Sequence, residues 1–149
     1  MYRWSPGSGA SKCTRRLLIE LRAQSFEERI LDGAWAGRPF RIWGAGRDAR
    51  HFVRALRGET RLRVSAMIDI DPLKCGNVYV TPVGGPRSKV VARIPILHFE
   101  SAEVRASSEP VVCCVSLRRA HDQAGARTSV RRNVGTLGLE EGKTLWYFC

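Results

Sequence analysis

The string Gly44-Ala45-Gly46-Arg47-Asp48-Ala49 has the residue types and spacing of a phosphate-cradling turn. A first glycine permits a tight turn, a second lets a phosphate approach the backbone, and a small third residue lets the following helix lie close to the strand. Free N–H groups at a helix start, backed by the helix dipole, suit an anion. Asp69 lies 23 residues beyond Gly46, near the ~20 expected of a carboxylate that accepts ribose hydroxyls. Gly44, Ala45, Gly46, Arg47 and Asp69 are therefore the candidate cofactor-binding set. The plainer alternative is a turn that uses its glycines for geometry alone, with Asp69 simply ending a strand.

Other groups carry less chemistry. Asp69-Ile70-Asp71 is a D-x-D string, which in nucleotide-sugar transferases bridges a divalent cation to a diphosphate; here it falls where a second strand ends, and no metal ligand is assigned. Arg47, Arg50, Arg54 and Arg57 share one helical stripe. They read as the solvated face of a helix, with Arg47 in its first turn the one placed to reach a phosphate. His51, His98 and His121 form no nucleophile–base pair, and no catalytic residue is assigned. A dehydrogenase would also need a second lobe to present its substrate, and the sequence has no room for one.

The elements that must position this set follow from periodicity. Leu17, Leu18, Leu21 and Ile30 recur at roughly helical spacing and predict an amphipathic helix from Cys13 to about Leu31. Phe40–Trp43 predicts a short strand running into Gly44. Ala49, Phe52, Val53 and Leu56 mark one face of the next helix, with Gly58 as its stop. Residues 62–70 predict a second strand and 75–93 a loop. Ile94–Leu97 predicts a third strand, at a sheet edge because Pro95 cannot donate to a ladder. The apolar run Val111–Ser116 predicts a strand buried on both faces. A helix within residues 121–137, closing at Leu137-Gly138, and a strand at Leu145–Phe148 complete the chain. Such alternation predicts an α/β fold, a small Rossmann-like, mostly parallel sheet of about five strands with flanking helices. The organisation expected is a flexible lead-in at 1–12, a helix and linker at 13–38 and the Rossmann-like domain at 39–149.

Composition narrows the class of function. The 149 residues are 44% hydrophobic and 26% charged, the balance of a globular domain. No apolar run approaches the ~18 residues of a membrane span, and 1–12 has no apolar signal core. The five cysteines, at 13, 75, 113, 114 and 149, form no C-x-x-C pair, so a cytoplasmic protein with reduced thiols is expected. A net charge of +11 invites nucleic acid as a partner. Against that, 21 of the 25 cations are Arg, scattered from Arg3 to Arg132, and only residues 39–66 concentrate them, at +5.

Several segments together resemble a known family: Phe26-Glu27-Glu28-Arg29-Ile30-Leu31, Phe40-Arg41-Ile42-Trp43-Gly44-Ala45-Gly46, Ile68-Asp69-Ile70-Asp71-Pro72 with Lys74 and Gly76, Arg93-Ile94-Pro95-Ile96-Leu97-His98-Phe99, and Leu137-Gly138-Leu139 with Glu141-Gly142. In this order they resemble the C-terminal Rossmann-like domain of the β-1,3-N-acetylglucosaminyltransferase-like proteins, relatives of the GT-A glycosyltransferases, over about residues 26–149. The stretch 121–132 departs from that pattern. The resemblance implies an accessory domain whose transferase chemistry belongs to a GT-A catalytic domain or subunit that these residues do not supply. The expected ligand is a nucleotide or nucleotide-sugar. One alternative is an NAD(P)-binding module with an oxidoreductase or regulatory role; another is a basic, non-enzymatic binding module.

Overall fold

Every side chain of Phe40–Trp43 (β1) is buried, as a strand covered on both faces requires. The computed structural model describes residues 14–115 and 124–148; the 1–12 lead-in, Cys13, His121 and Cys149 lie outside them. The other strands are Val64–Asp69 (β2), Val78–Pro82 (β3), Val91–His98 (β4), Val111–Cys113 (β5) and Leu145–Tyr147 (β6). They form one sheet in the order β3-β4-β2-β1-β5-β6. All neighbours are parallel except β3 and β4. From β4 to β6 this is the doubly wound order, in which the winding reverses between β1 and β5. The fold is α/β and Rossmann-like.

Helices cover both faces. Arg15–Phe26 (α1), which runs on as a π-helix over Glu27–Ala34, shares one core with Arg47–Ala55 (α2). On the other face Ala102–Ala106 and Ala124–Gly135 contribute Val104 and Val134 to a second core with Trp43, Ile68 and Val111. The first core centres on rings: Phe26 meets Trp35, Phe52, Trp146 and Phe148 with centroids 5.9–6.3 Å apart. Buried Trp35 donates its indole N–H to the Lys143 carbonyl at 2.7 Å. Segment 15–34 thus belongs to the same core as the sheet.

Several expectations are corrected. Leu17, Leu18 and Leu21 are exposed; Ile19, Ala23 and Leu31 face the core instead. The wide π turns bring Glu27, Leu31 and Trp35, four apart, onto the inner side. The segment 75–93 is not all loop: it holds β3 and the start of β4, hidden in the sequence by glycine and proline on either side. Because β3 covers it, β4 is an interior strand. Pro95 is tolerated there because it faces Val78 at a non-hydrogen-bonding position and precedes the first β2 partner, Ile96; neither ladder needs its N–H. Finally, α2 ends before Gly58, which opens a short helix at Gly58–Arg61. A Cβ at Gly58 would overlap the Val83 carbonyl oxygen, so close backbone approach fixes that glycine.

Two buried charges secure the ends of this frame. Arg41 on β1 is 2% exposed and donates to the carbonyls of Val104, Ser107 and Glu109. Burial pulls its pKa below the ordinary value, against the opposing pull of the Glu109 carboxylate. Glu27, also 2% exposed, accepts from the Arg57 backbone N–H at 3.2 Å, from the Thr60 hydroxyl and from the Arg57 guanidinium at 3.1 Å.

Candidate functional site

The strand-to-helix turn after β1 is built as the glycine spacing implies. Gly44 has φ 107°, a conformation that disfavours any side chain, and a Cβ there would lie 3.3 Å from Val115 Cγ2. Gly46 differs: its φ is −84°, and a Cβ would meet nothing within 4 Å. It caps α2 with no side-chain bond to the helix N–H groups. Ala49 is fully buried against the sheet. Each of the three small residues therefore has its own reason: turn, open approach, close packing.

Asp69 ends β2 and is 7% exposed. Its Oδ2 accepts from the Ala45 N–H at 2.9 Å and faces Lys74 Nζ at 3.4 Å; its Oδ1 accepts from the Asp71 N–H at 2.9 Å. The carboxylate thus pins the glycine turn to the end of β2. A carboxylate offers about four lone-pair sites, so one remains on Oδ1 for a hydroxyl. This positioning role went unread in the sequence, where a 24-residue separation gives no local signal. Asp71, the second acid of the D-x-D string, accepts from the Leu73 N–H at 3.0 Å. Among the described residues no cluster of three or more His, Cys, Asp or Glu side chains gathers for a metal.

These elements open a cleft of about 470 Å³ at the C-terminal ends of β1, β2 and β5, lined by Gly44, Gly46, Arg47, Asp69, Val115 and Asn133 among others. It sits where the winding reverses, the place where open α/β sheets bind ligands. Of the candidate set, Gly44, Gly46, Arg47 and Asp69 line it, and Ala45 is held just beneath. Two further cations line the wall, Arg15 and Lys74. Arg15 pairs with Asp48 at 2.9 Å, and Lys74 is engaged with Asp69. Arg47 is exposed and makes no ion pair or side-chain hydrogen bond among the described residues. The rest of the stripe is divided: Arg57 is committed to Glu27 and Asp32, and Arg50 lies over the Tyr79 ring. His51 faces α1 in a shallow groove, and His98 Nδ1 accepts from the Glu100 N–H at 3.4 Å.

Beside the cleft, Cys75 directs its sulfur at the Asp71 carbonyl, 3.2 Å away. Burial first, and then the charges of Asp69 and Asp71, push its thiol pKa above the ordinary value, with Lys74 opposing. At pH 8 Cys75 should therefore be alkylated by iodoacetamide several-fold more slowly than a small free thiol, as read by peptide mass spectrometry. Equal or faster labelling would contradict that environment.

The chain matches no protein-family model and no solved structure. Among the described residues no helix is long and apolar enough to cross a membrane.

Proposed function

We propose that this chain is a nucleotide-binding, Rossmann-like accessory domain of a glycosyltransferase-like protein, taking a nucleotide or nucleotide-sugar in the cleft over Gly44–Arg47. One observation carries the reading. At the winding reversal, a helix N-terminus without a side-chain cap, an open Gly46 and an Arg47 guanidinium with no ion pair among the described residues converge on one cleft. In this reading the phosphate lies against the N–H groups of the first turn of α2 and against Arg47. The ribose places one hydroxyl on Asp69 Oδ1, and Ile70 and Val115 provide apolar wall. The resemblance of segments 26–149 supplies the glycosyltransferase-like part; the transferase chemistry itself would come from a GT-A domain or subunit. A cytoplasmic location is part of this proposal.

NAD(P) is the second reading, favoured by an acid at the end of β2 in the doubly wound strand order. One experiment separates the two. Thermal shift is measured with UDP-N-acetylglucosamine, UDP, NAD, NADH and NADP on wild type and on Gly46→Val, each against its own unliganded baseline. A ligand at about 100 times its Kd adds ~2.7 kcal/mol, a shift of roughly 5–11 °C for a domain of this size. A shift with the uridine compounds, lost in Gly46→Val, supports the proposal; a shift with the nicotinamide compounds alone moves it to the second reading. No shift with any of them would overturn nucleotide binding.

A further inference from the structure

Among the described residues, the edge strand β3 pairs with β4 on one side and with no strand on the other. Its ladder is bracketed by Ile96 N–H donating to the Asn77 carbonyl and Val83 N–H donating to the Val90 carbonyl, each at 2.9 Å. Hydrogen-bonded and non-hydrogen-bonded positions alternate along an antiparallel pair. The Asn77 carbonyl, the backbone groups of Tyr79 and Thr81 and the Val83 N–H therefore turn toward β4, while Val78, Val80 and Pro82 turn theirs outward. Pro82 has no N–H, and its carbonyl accepts from the Arg61 guanidinium at 2.6 Å. The N–H and C=O groups of Val78 and Val80 remain as a short edge able to pair with another strand.

The side chains around this edge define what fits it. Val78 and Val80 are 50% and 46% exposed, and Leu73 is 86% exposed. With Arg50, Lys74 and Asn77 these three residues line a groove of about 330 Å³ along the strand. Residues 72–99 contain Lys74, Arg87, Lys89 and Arg93 and not one Asp or Glu. Arg93 is the cross-strand partner of Val80 and is exposed. A second copy would set these cations against themselves, so self-pairing is disfavoured. Single-stranded nucleic acid would find charge here but no open ring to stack on, because Arg50 lies 5.5 Å from the centroid of Tyr79.

We propose that the outer edge of β3 docks an acidic, extended polypeptide segment, which joins the sheet as an added strand. Main-chain bonds form to Val78 and Val80. Alternate apolar side chains lie on the valine face, and the carboxylates between them, on the Tyr79 face, meet Arg50 and Lys74 of the groove. This inference does not depend on a ligand in the cleft.

The test uses fluorescence anisotropy with labelled peptides of alternating Glu and Val or alternating Lys and Val, and with a single-stranded RNA oligomer. The Glu/Val peptide should bind and weaken with rising salt, and the Lys/Val peptide should not bind. Val80→Pro removes an outward N–H that no ladder uses and should weaken the Glu/Val peptide about tenfold or more. Arg50→Glu should weaken it several-fold. In the complex, the Val78 and Val80 amides should gain protection from hydrogen exchange, a reading on wild-type protein that stands even if a variant misfolds. The proposal falls if the Glu/Val peptide fails to bind, or binds without protecting those amides. It also falls if RNA displaces the peptide from the same edge, or if the protein forms a dimer that Val80→Pro abolishes.

Discussion

Replacing Glu27 with alanine is expected to cost about 3–4 kcal/mol of unfolding free energy, on the order of 10 °C in Tm. The carboxylate is buried, and three donors converge on it: the Arg57 backbone N–H, the Thr60 hydroxyl and the Arg57 guanidinium. Alanine leaves the first two without an acceptor in a dry place, and an unsatisfied buried donor costs more than an average hydrogen bond contributes. The lost side-chain volume adds a cavity penalty. The ion pair itself is the smaller part, because the Arg57 side chain is 59% exposed. Glu27→Gln keeps a carbonyl acceptor and should lose about half as much. Urea denaturation of the three proteins gives the comparison. Near-neutral Glu27→Ala would mean that the region 57–60 is held by apolar contact alone.

Gly44→Ala is expected to cost about 2–4 kcal/mol, whereas Gly46→Ala should cost about 0.5–1 kcal/mol. At Gly44 the substitution forces an L residue to φ 107° and sets its Cβ 3.3 Å from Val115 Cγ2 and 3.5 Å from the Cys114 carbonyl oxygen. At Gly46 the φ is ordinary and the space is open, so the remaining cost is alanine's weakness as an N-cap. The two glycines thus separate stability from binding. Thermal melts of the unliganded variants should give a large drop for the first and a small one for the second. Equal drops would show that the turn does not divide its glycines in this way.

The turn and its flanks were legible because they rest on local rules. Phe40–Trp43 is a strand-length apolar run, Ala49, Phe52 and Val53 keep one helical face, and the glycine spacing names the turn between them. What the sequence concealed depends on long-range partners. β3 hides among Gly76, Pro82, Gly84 and Gly85, and it becomes a strand because β4 lies beside it. The leucines of α1 promise a buried stripe, but Ile19 and Ala23 take that place, since the inner face is set by docking against α2 and the sheet. The position of Asp69 was legible while its bond to Ala45 was not, because that bond exists only once β1 and β2 lie side by side. Arg15 reaches the cleft from a segment that carries no motif, and Lys74 from one whose resemblance gives it no place there.

The ring cluster around Phe26 has a consequence for how the chain acquires its shape. Phe26 and Trp35 come early, whereas Trp146, Phe148 and the Lys143 carbonyl that receives the Trp35 indole come more than a hundred residues later. The central pairing of β1 with β5 also joins segments about 70 residues apart. Contacts of such span are closed only after the loop entropy between them has been overcome, which slows folding relative to helical bundles of similar size. During synthesis β1, α2 and β2 emerge well before the residues that complete the core of α1. Phe40 and Phe52 can then cover part of Trp35 and Phe26, but the sides that meet Trp146, Phe148 and the Lys143 carbonyl stay open until the last residues arrive. In the cell, that interval is when this chain most needs a chaperone.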